Sequence, residues 1–151
     1  MSVIKKYFYM ISRTLWLILK PLSFGVRILM VRNQKILLVK HVYQDQWFLP
    51  GGLIEHGETV ENAARREVAE EVGATLRDLT LFGVYTKFVF GKSDHVIVFI
   101  SHDFSLNGYS DDEIERYEFF DLIDLPADVS PGSRKQIQRY IEKDSPAFGM
   151  W

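Results

Sequence analysis

The stretch from Gly52 to Ala74, GLIEHGETVENAARREVAEEVGA, constrains this chain more than any other. Thr59 can cap a helix, Glu61 follows in the first turn where the helix dipole favours an acid, and Gly73 comes after the last turn. A helix from Thr59 to Val72 is therefore expected. At about 100° per residue, Val60, Ala64 and Val68 form its buried sector. Glu71 falls between Val60 and Ala64, inside that sector, while Glu67 and Glu70 border it and Arg65 lies on the far side. Carboxylates buried without a partner are costly, and close together they push one another's pKa upward. Two remedies are open: pairing with Arg65, Arg66 or Lys87, or a shared divalent cation. Oxygen donors without Cys or His suit Mg2+ or Mn2+ rather than zinc.

Around this helix the chain alternates between strands and turns. VRILMVRNQKILLVKHV reads as two strands about a turn at Asn33-Gln34, and YQDQWFLPGG as a loop or short strand. TLFGVYTKFVF and HVIVFISHDF read as strands joined by a GKSD turn. EIERYEFFDL reads as a strand, DLPADVSPG as a connection, and SRKQIQRYIEK as a closing helix with Ser133 as its cap. The tail DSPAFGMW is expected to be loosely held unless Phe148 and Trp151 dock. The whole is an α/β chain whose 151 residues suffice for one domain. The absence of cysteine excludes disulfides, thiolate metal sites and cysteine nucleophiles, and is compatible with a cytoplasmic setting.

Residues 1 to 44 carry eight Lys or Arg and no acid, whereas all twenty Asp and Glu come later. Within this basic start, Ile4, Phe8, Ile11, Leu15, Ile18 and Leu22 recur at helical spacing. The longest apolar run, Leu15 to Leu19, is far short of the roughly 20 residues of a membrane span. Residues 1–24 are thus expected to form an amphipathic helix, ending near Lys20 because Pro21 follows. Its apolar face could pack on its own domain, join a homodimer, or lie on an anionic membrane surface. A cleaved signal is the remaining alternative, although no small-x-small site follows Leu22.

The spacing Gly52, Glu58, then Arg66-Glu67-Val68-Ala69-Glu70-Glu71-Val72-Gly73-Ala74 resembles the Nudix box, G-x5-E-x7-R-E-U-x-E-E-x-G-U, with U a bulky aliphatic residue. Every fixed position matches, and only Ala74 is smaller than the usual residue. WFLPGG, Trp47 to Gly52, resembles the common run into the box, and the likeness covers about residues 25 to 143. It implies a MutT-like α/β/α sandwich with a mixed sheet over residues 25–151, the N-terminal helix lying outside it. It also implies metal-dependent hydrolysis of a nucleoside diphosphate linked to another moiety.

On that resemblance Glu70 and Glu71 hold Mg2+ or Mn2+, and Glu67 is a third ligand or the general base. The Gly52 carbonyl completes the inner sphere, Arg66 orients Glu67, and Glu58 braces the loop. A further carboxylate is expected from SDDEIERYEFF, with Glu113 the first choice and Glu115 the second; strand alternation would turn both the same way. Trp47, Phe48, Tyr85, Phe88 and Phe90 could stack on a base or pack in a core. Of these Trp47, Tyr85 and Phe88, with His56 in the loop beside the site, are the expected substrate contacts. The proline that ADP-ribose-cleaving members tend to carry downstream of the box is missing, because no proline lies between Pro50 and Pro126. Two other readings stay open: a nucleotide-sensing or partner-binding module without turnover, and an RNA 5′-pyrophosphohydrolase. The acidic remainder of the chain argues against nucleic acid as a partner.

Overall fold

The computed structural model describes residues 22–89, 91–143 and 147–151. The helix expected in residues 1–24 falls outside them as far as residue 21. Its last three residues do not continue it, since Leu22, Ser23 and Phe24 open a strand. Along the chain the elements are β1 (Leu22–Arg32), β2 (Lys35–His41), β3 (Trp47–Phe48), α1 (Val60–Val72), β4 (Ala74–Leu76) and β5 (Thr80–Val89). They continue as β6 (Lys92–Ser101), β7 (Phe104–Leu106), β8 (Ile114–Asp121), α2 (Pro131–Ile141) and β9 (Ala147–Met150).

Seven strands make a mixed sheet in the order β3-β2-β1-β6-β5-β9, with β8 on β2. The first hairpin turns through Asn33 and Gln34, whose φ values of 51° and 61° are those a tight two-residue turn demands. Its strands then part. β1 and β2 pair only at Val31↔Ile36 and Arg32↔Lys35, after which β1 runs parallel to β6 and β2 pairs along its length with β8. The Pro50–Ile54 segment fills the gap: Val26 and Ile28 donate to the Gly52 and Pro50 carbonyls, and Ile54 donates to Phe24.

Where β1, β2 and β6 carry their nearly unbroken apolar runs, both faces of the sheet are covered. Val26, Ile28 and Met30 face Ala64, Val68 and Val72 of α1, joined by Leu37, Val39, Ile97 and Phe99. The alternate positions Leu29, Val31, Ile36, Leu38, Val96 and Val98 face Ile137 of α2. This is the expected α/β/α sandwich.

Several local expectations need correction. Lys92, Ser93 and Asp94 belong to β6 rather than to a GKSD turn, because they pair with β5 out to Val89↔Lys92. Ser130, not Ser133, caps α2, which starts two residues earlier than expected at Pro131. Val60 is exposed although it was assigned to the buried sector; it is the first residue of the helix and lines an open groove with Leu22 and Phe24. The tail is paired: β9 lies parallel to β5, and Trp151 packs on the α2-side core while Phe148 stays 91% exposed. The short pair β4–β7 was not anticipated.

Candidate active site

Thr59 accepts from the Asn62 amide and Gly73 ends α1 in a left-handed conformation, so both helix signals act as the sequence suggests. Between them the helix carries the acids to the point where β1 and β2 separate. Glu71 is 6% exposed, and its Oε2 accepts from the Gly51 amide at 2.8 Å. Burial pushes its carboxyl up to about 8; Glu67 and Asp111 push the same way, while Arg27 and the Gly51 N–H oppose. His41 Nε2 lies 3.8 Å from Glu71 Oε1, and burial holds that imidazole below its ordinary pKa. Glu67 is also raised by burial, against the pull of Arg66.

Arg66 organises the remaining acids. Its Nε and Nη2 bind Glu58 Oε1 and Oε2 at 2.9 and 3.0 Å, and Nη2 also donates to the Leu53 carbonyl at 3.0 Å. Its Nη1 reaches Glu67 Oε1 at 2.9 Å and Glu70 Oε2 at 3.1 Å. Glu58 accepts besides from the Glu55 amide, tying the loop to the helix, and Arg66 holds its carboxyl below the usual range.

Two glycines make this approach possible. Gly51 has φ of 129°, and a Cβ there would strike the Val26 carbonyl. A Cβ on Gly52 would collide with the Glu67 carboxylate, so only glycine lets that acid lie against the loop.

The acids open into a cleft of about 620 Å³, a size that suits a small-molecule ligand. Glu67 and Glu71 line it with Gly52, Arg27, His41 and Glu113. Lys87, Asp94, the Ser130–Gly132 start of α2, and Trp151 line it too. Glu113 is brought there by a loop whose Asp111 amide donates to the Glu70 carbonyl. Glu115 does not line the cleft. The pairing slips between Lys40↔Arg116 and His41↔Ile114, leaving Glu115 as the extra residue, so the expected alternation of Glu113 with Glu115 is broken.

Four expected substrate contacts lie elsewhere. Trp47 is buried in the α2-side core with its ring 4.8 Å from Phe120, and alternation along β3 turns Phe48 to the cleft instead. Tyr85 is 1% exposed, with Trp151 and the Arg139 guanidinium beside its ring. Phe88 takes the opposite face from its cleft-lining neighbour Lys87 and is exposed. His56 lines a separate groove beside Leu22 and Phe24. Sequence reasoning passed over Arg27, His41, Tyr43 and Trp151, all of which line the cleft. Period-two alternation next to Trp47 was the available signal for Phe48; for Trp151 there was none.

The donor set fits a hard cation by its chemistry. Glu71 is a buried carboxylate with one hydrogen bond among the described residues, and Glu67 lies against the same glycine loop. The Gly52 carbonyl accepts from Val26 at 2.8 Å and keeps a second lone pair. Among the described residues no three acidic or histidine side chains already converge as a cation site, and Glu70 is drawn to Arg66.

Comparison with known proteins agrees with this geometry. The NUDIX domain model matches residues 21–140. A protein of Methanocaldococcus jannaschii named ADP-ribose pyrophosphatase is 39% identical over 100 residues, covering 63% of this chain and 59% of that one. The uncharacterized Nudix hydrolase YvcI of Bacillus subtilis is 28% identical over 99 residues, covering 62% of each. The chain thus spans less than two thirds of the length of these relatives. The crystal structure of a MutT NUDIX hydrolase from Burkholderia pseudomallei superposes with a TM-score of 0.70 at 31% identity, covering 78% of this chain and 96% of that one. With the sandwich, the glycine loop and the glutamate row in place, the chain belongs to the Nudix family.

Proposed function

We propose that this protein hydrolyses the pyrophosphate linkage of a nucleoside diphosphate joined to another moiety. The observation that carries the reading is Glu71, a carboxylate sunk at the base of a ligand-sized cleft beside Glu67 and the Gly51-Gly52 loop. Gly52, Glu67 and Glu71 would hold a divalent cation, Mg2+ or Mn2+, with Glu70 a further oxygen donor from the exposed end of the row. When bound, such an ion neutralises the pyrophosphate and makes water a better nucleophile.

The chain's own groups do the rest. The Gly51 N–H fixes one oxygen of Glu71 and leaves the other toward the cleft. Arg66, anchored by Glu58 and Leu53, holds Glu67 in one orientation. Glu67 or Glu113 accepts the proton from the attacking water, and the raised pKa of Glu67 favours it in that role. Arg27 and Lys87 line the same cleft and offset substrate charge. Positioning and electrostatics of this kind supply most of the acceleration in phosphoryl transfer.

The relative named ADP-ribose pyrophosphatase makes ADP-ribose the first compound to test, although the downstream proline of such members is missing here. The test is product release from ADP-ribose, nucleoside triphosphates, nucleotide sugars, dinucleotides and 5′-triphosphate RNA, with and without Mg2+ or Mn2+. Wild type is expected to turn over at least one of these only with metal, and Glu70→Gln to lose about a hundredfold or more. Nucleotide binding without turnover by either protein would replace the hydrolase with a sensing module.

A further inference from the structure

The α1 face of the sheet is covered only in part. α1 lies over the half that holds Val26, Ile28 and Met30. Beyond it, strand alternation brings Leu22 and Phe24 of β1, Val84 and Phe88 of β5, and Phe148 and Met150 of β9 to the same side. The registers fix this arrangement: Phe24 pairs with His95, His95 with Thr86, and Thr86 with Met150, while Val84 pairs with Phe148 and Leu22 with Ser93 opposite Phe88. All six apolar side chains are exposed, from 39% at Val84 to 91% at Phe148. Where the face meets the loop before α1, Leu22, Phe24, Leu53 and Val60 line a groove of about 580 Å³ together with Glu55. Single exposed apolar residues are ordinary, but a contiguous run of them marks a surface that something covers.

We propose that the first 21 residues of this same chain cover this face with their apolar stripe. The chain enters the face directly, for the stripe Ile4, Phe8, Ile11, Leu15 and Ile18 continues into Leu22, which is itself part of the patch. The dimensions agree. From β1 to β9 the face is about 14 Å wide, enough for one helix. The polar groups agree as well. Ser93, Thr86 and His95 punctuate the face, Glu55 stands in the groove, and the segment is basic, with Lys5, Lys6, Arg13 and Lys20.

Trypsin reads the proposal directly in the full chain, because Lys5, Lys6 and Arg13 are cleavage points inside the segment. In wild type these sites are expected to be protected. Replacing the exposed Phe88 and Phe148 together by Ser should speed cleavage there about tenfold or more, since cutting follows the population of the open form. Ile11→Asp with Leu15→Asp should do the same from the other side of the contact. Far-ultraviolet circular dichroism and a conserved melting transition would exclude global unfolding as the cause. Equal cleavage of wild type and both variants would overturn the proposal. So would protection that falls on dilution along with a doubled mass, which assigns the face to a second copy. Protection gained only with anionic vesicles would overturn it too, assigning the stripe to a membrane surface.

Discussion

Glu71 enters the fold almost wholly desolvated, and the groups around it do not compensate. Arg27 and the Gly51 N–H favour its charge, but Glu67, Asp111 and burial oppose it, and its carboxyl rises to about 8. The consequence for stability has a definite sign. Below about pH 4.5, the ordinary value, Glu71 is protonated whether the chain is folded or not, so its contribution is fully present. As pH rises the unfolded chain ionises first and gains, and stability is lost until the folded group also ionises near pH 8. The loss has an upper bound of about 5 kcal/mol at 1.36 kcal/mol per unit. Metal-free wild type should therefore melt lower at pH 8 than at pH 5 by more than Glu71→Gln does. Gln keeps an oxygen for the Gly51 amide and has no charge to bury. His41, 3.8 Å from Glu71 Oε1, has a lowered pKa that costs stability on the acid side in both proteins. Parallel melting curves for the two proteins across this range would contradict the assignment.

Among the elements, α1 and α2 begin with similar sequence signals and different physics. At α1 the Thr59 hydroxyl accepts from Asn62 in an exposed position. At α2 the capping Ser130 donates to Ser133 Oγ at 2.8 Å, and Ser133 in turn accepts from the Leu49 amide at 3.1 Å, all of it buried. Thr59→Ala should cost about 1 kcal/mol, the usual worth of a cap. Ser133→Ala should cost about 1–3 kcal/mol, because it strands a buried amide. Chemical denaturation of the two variants measures both; a Ser133→Ala loss no larger than that of Thr59→Ala would refute the bridging role. The same contrast explains what could be read in advance. α1 was legible because its cap, its stop and its spacing lie in one continuous stretch. Ser133 looked like a cap because a local reading has no view of Leu49, 84 residues away. β4, β7 and β9 have only three or four residues each and carry no periodicity, so only their partners define them. The aromatic contacts went astray for a related reason: Trp47, Phe48, Lys87 and Phe88 lie on known strands, but which parity faces the cleft is set by the whole sheet.

The whole molecule is organised by the parting of β1 from β2, which lets α1 present its acids to a cleft also lined by the start of α2 and by Trp151. Closing that site with a cation should therefore tighten the fold as well as the chemistry. An ion that binds only the folded state at a hundred times its Kd adds about 2.7 kcal/mol. For a domain of this size that is a rise in melting temperature of roughly 5–10 °C. Protons compete for the same oxygens, because Glu71 holds its proton up to about pH 8. Mg2+ or Mn2+ should thus raise the melting temperature more at pH 8 than at pH 6, and Glu71→Gln should remove most of the rise at both. Glu70→Gln should reduce it less, since Glu70 is half exposed and already paired with Arg66. The measurement is a melting series with each ion and with a chelator at the two pH values. A rise that is independent of pH and survives Glu71→Gln would place the cation away from the cleft and leave the buried carboxylate without its counter-charge.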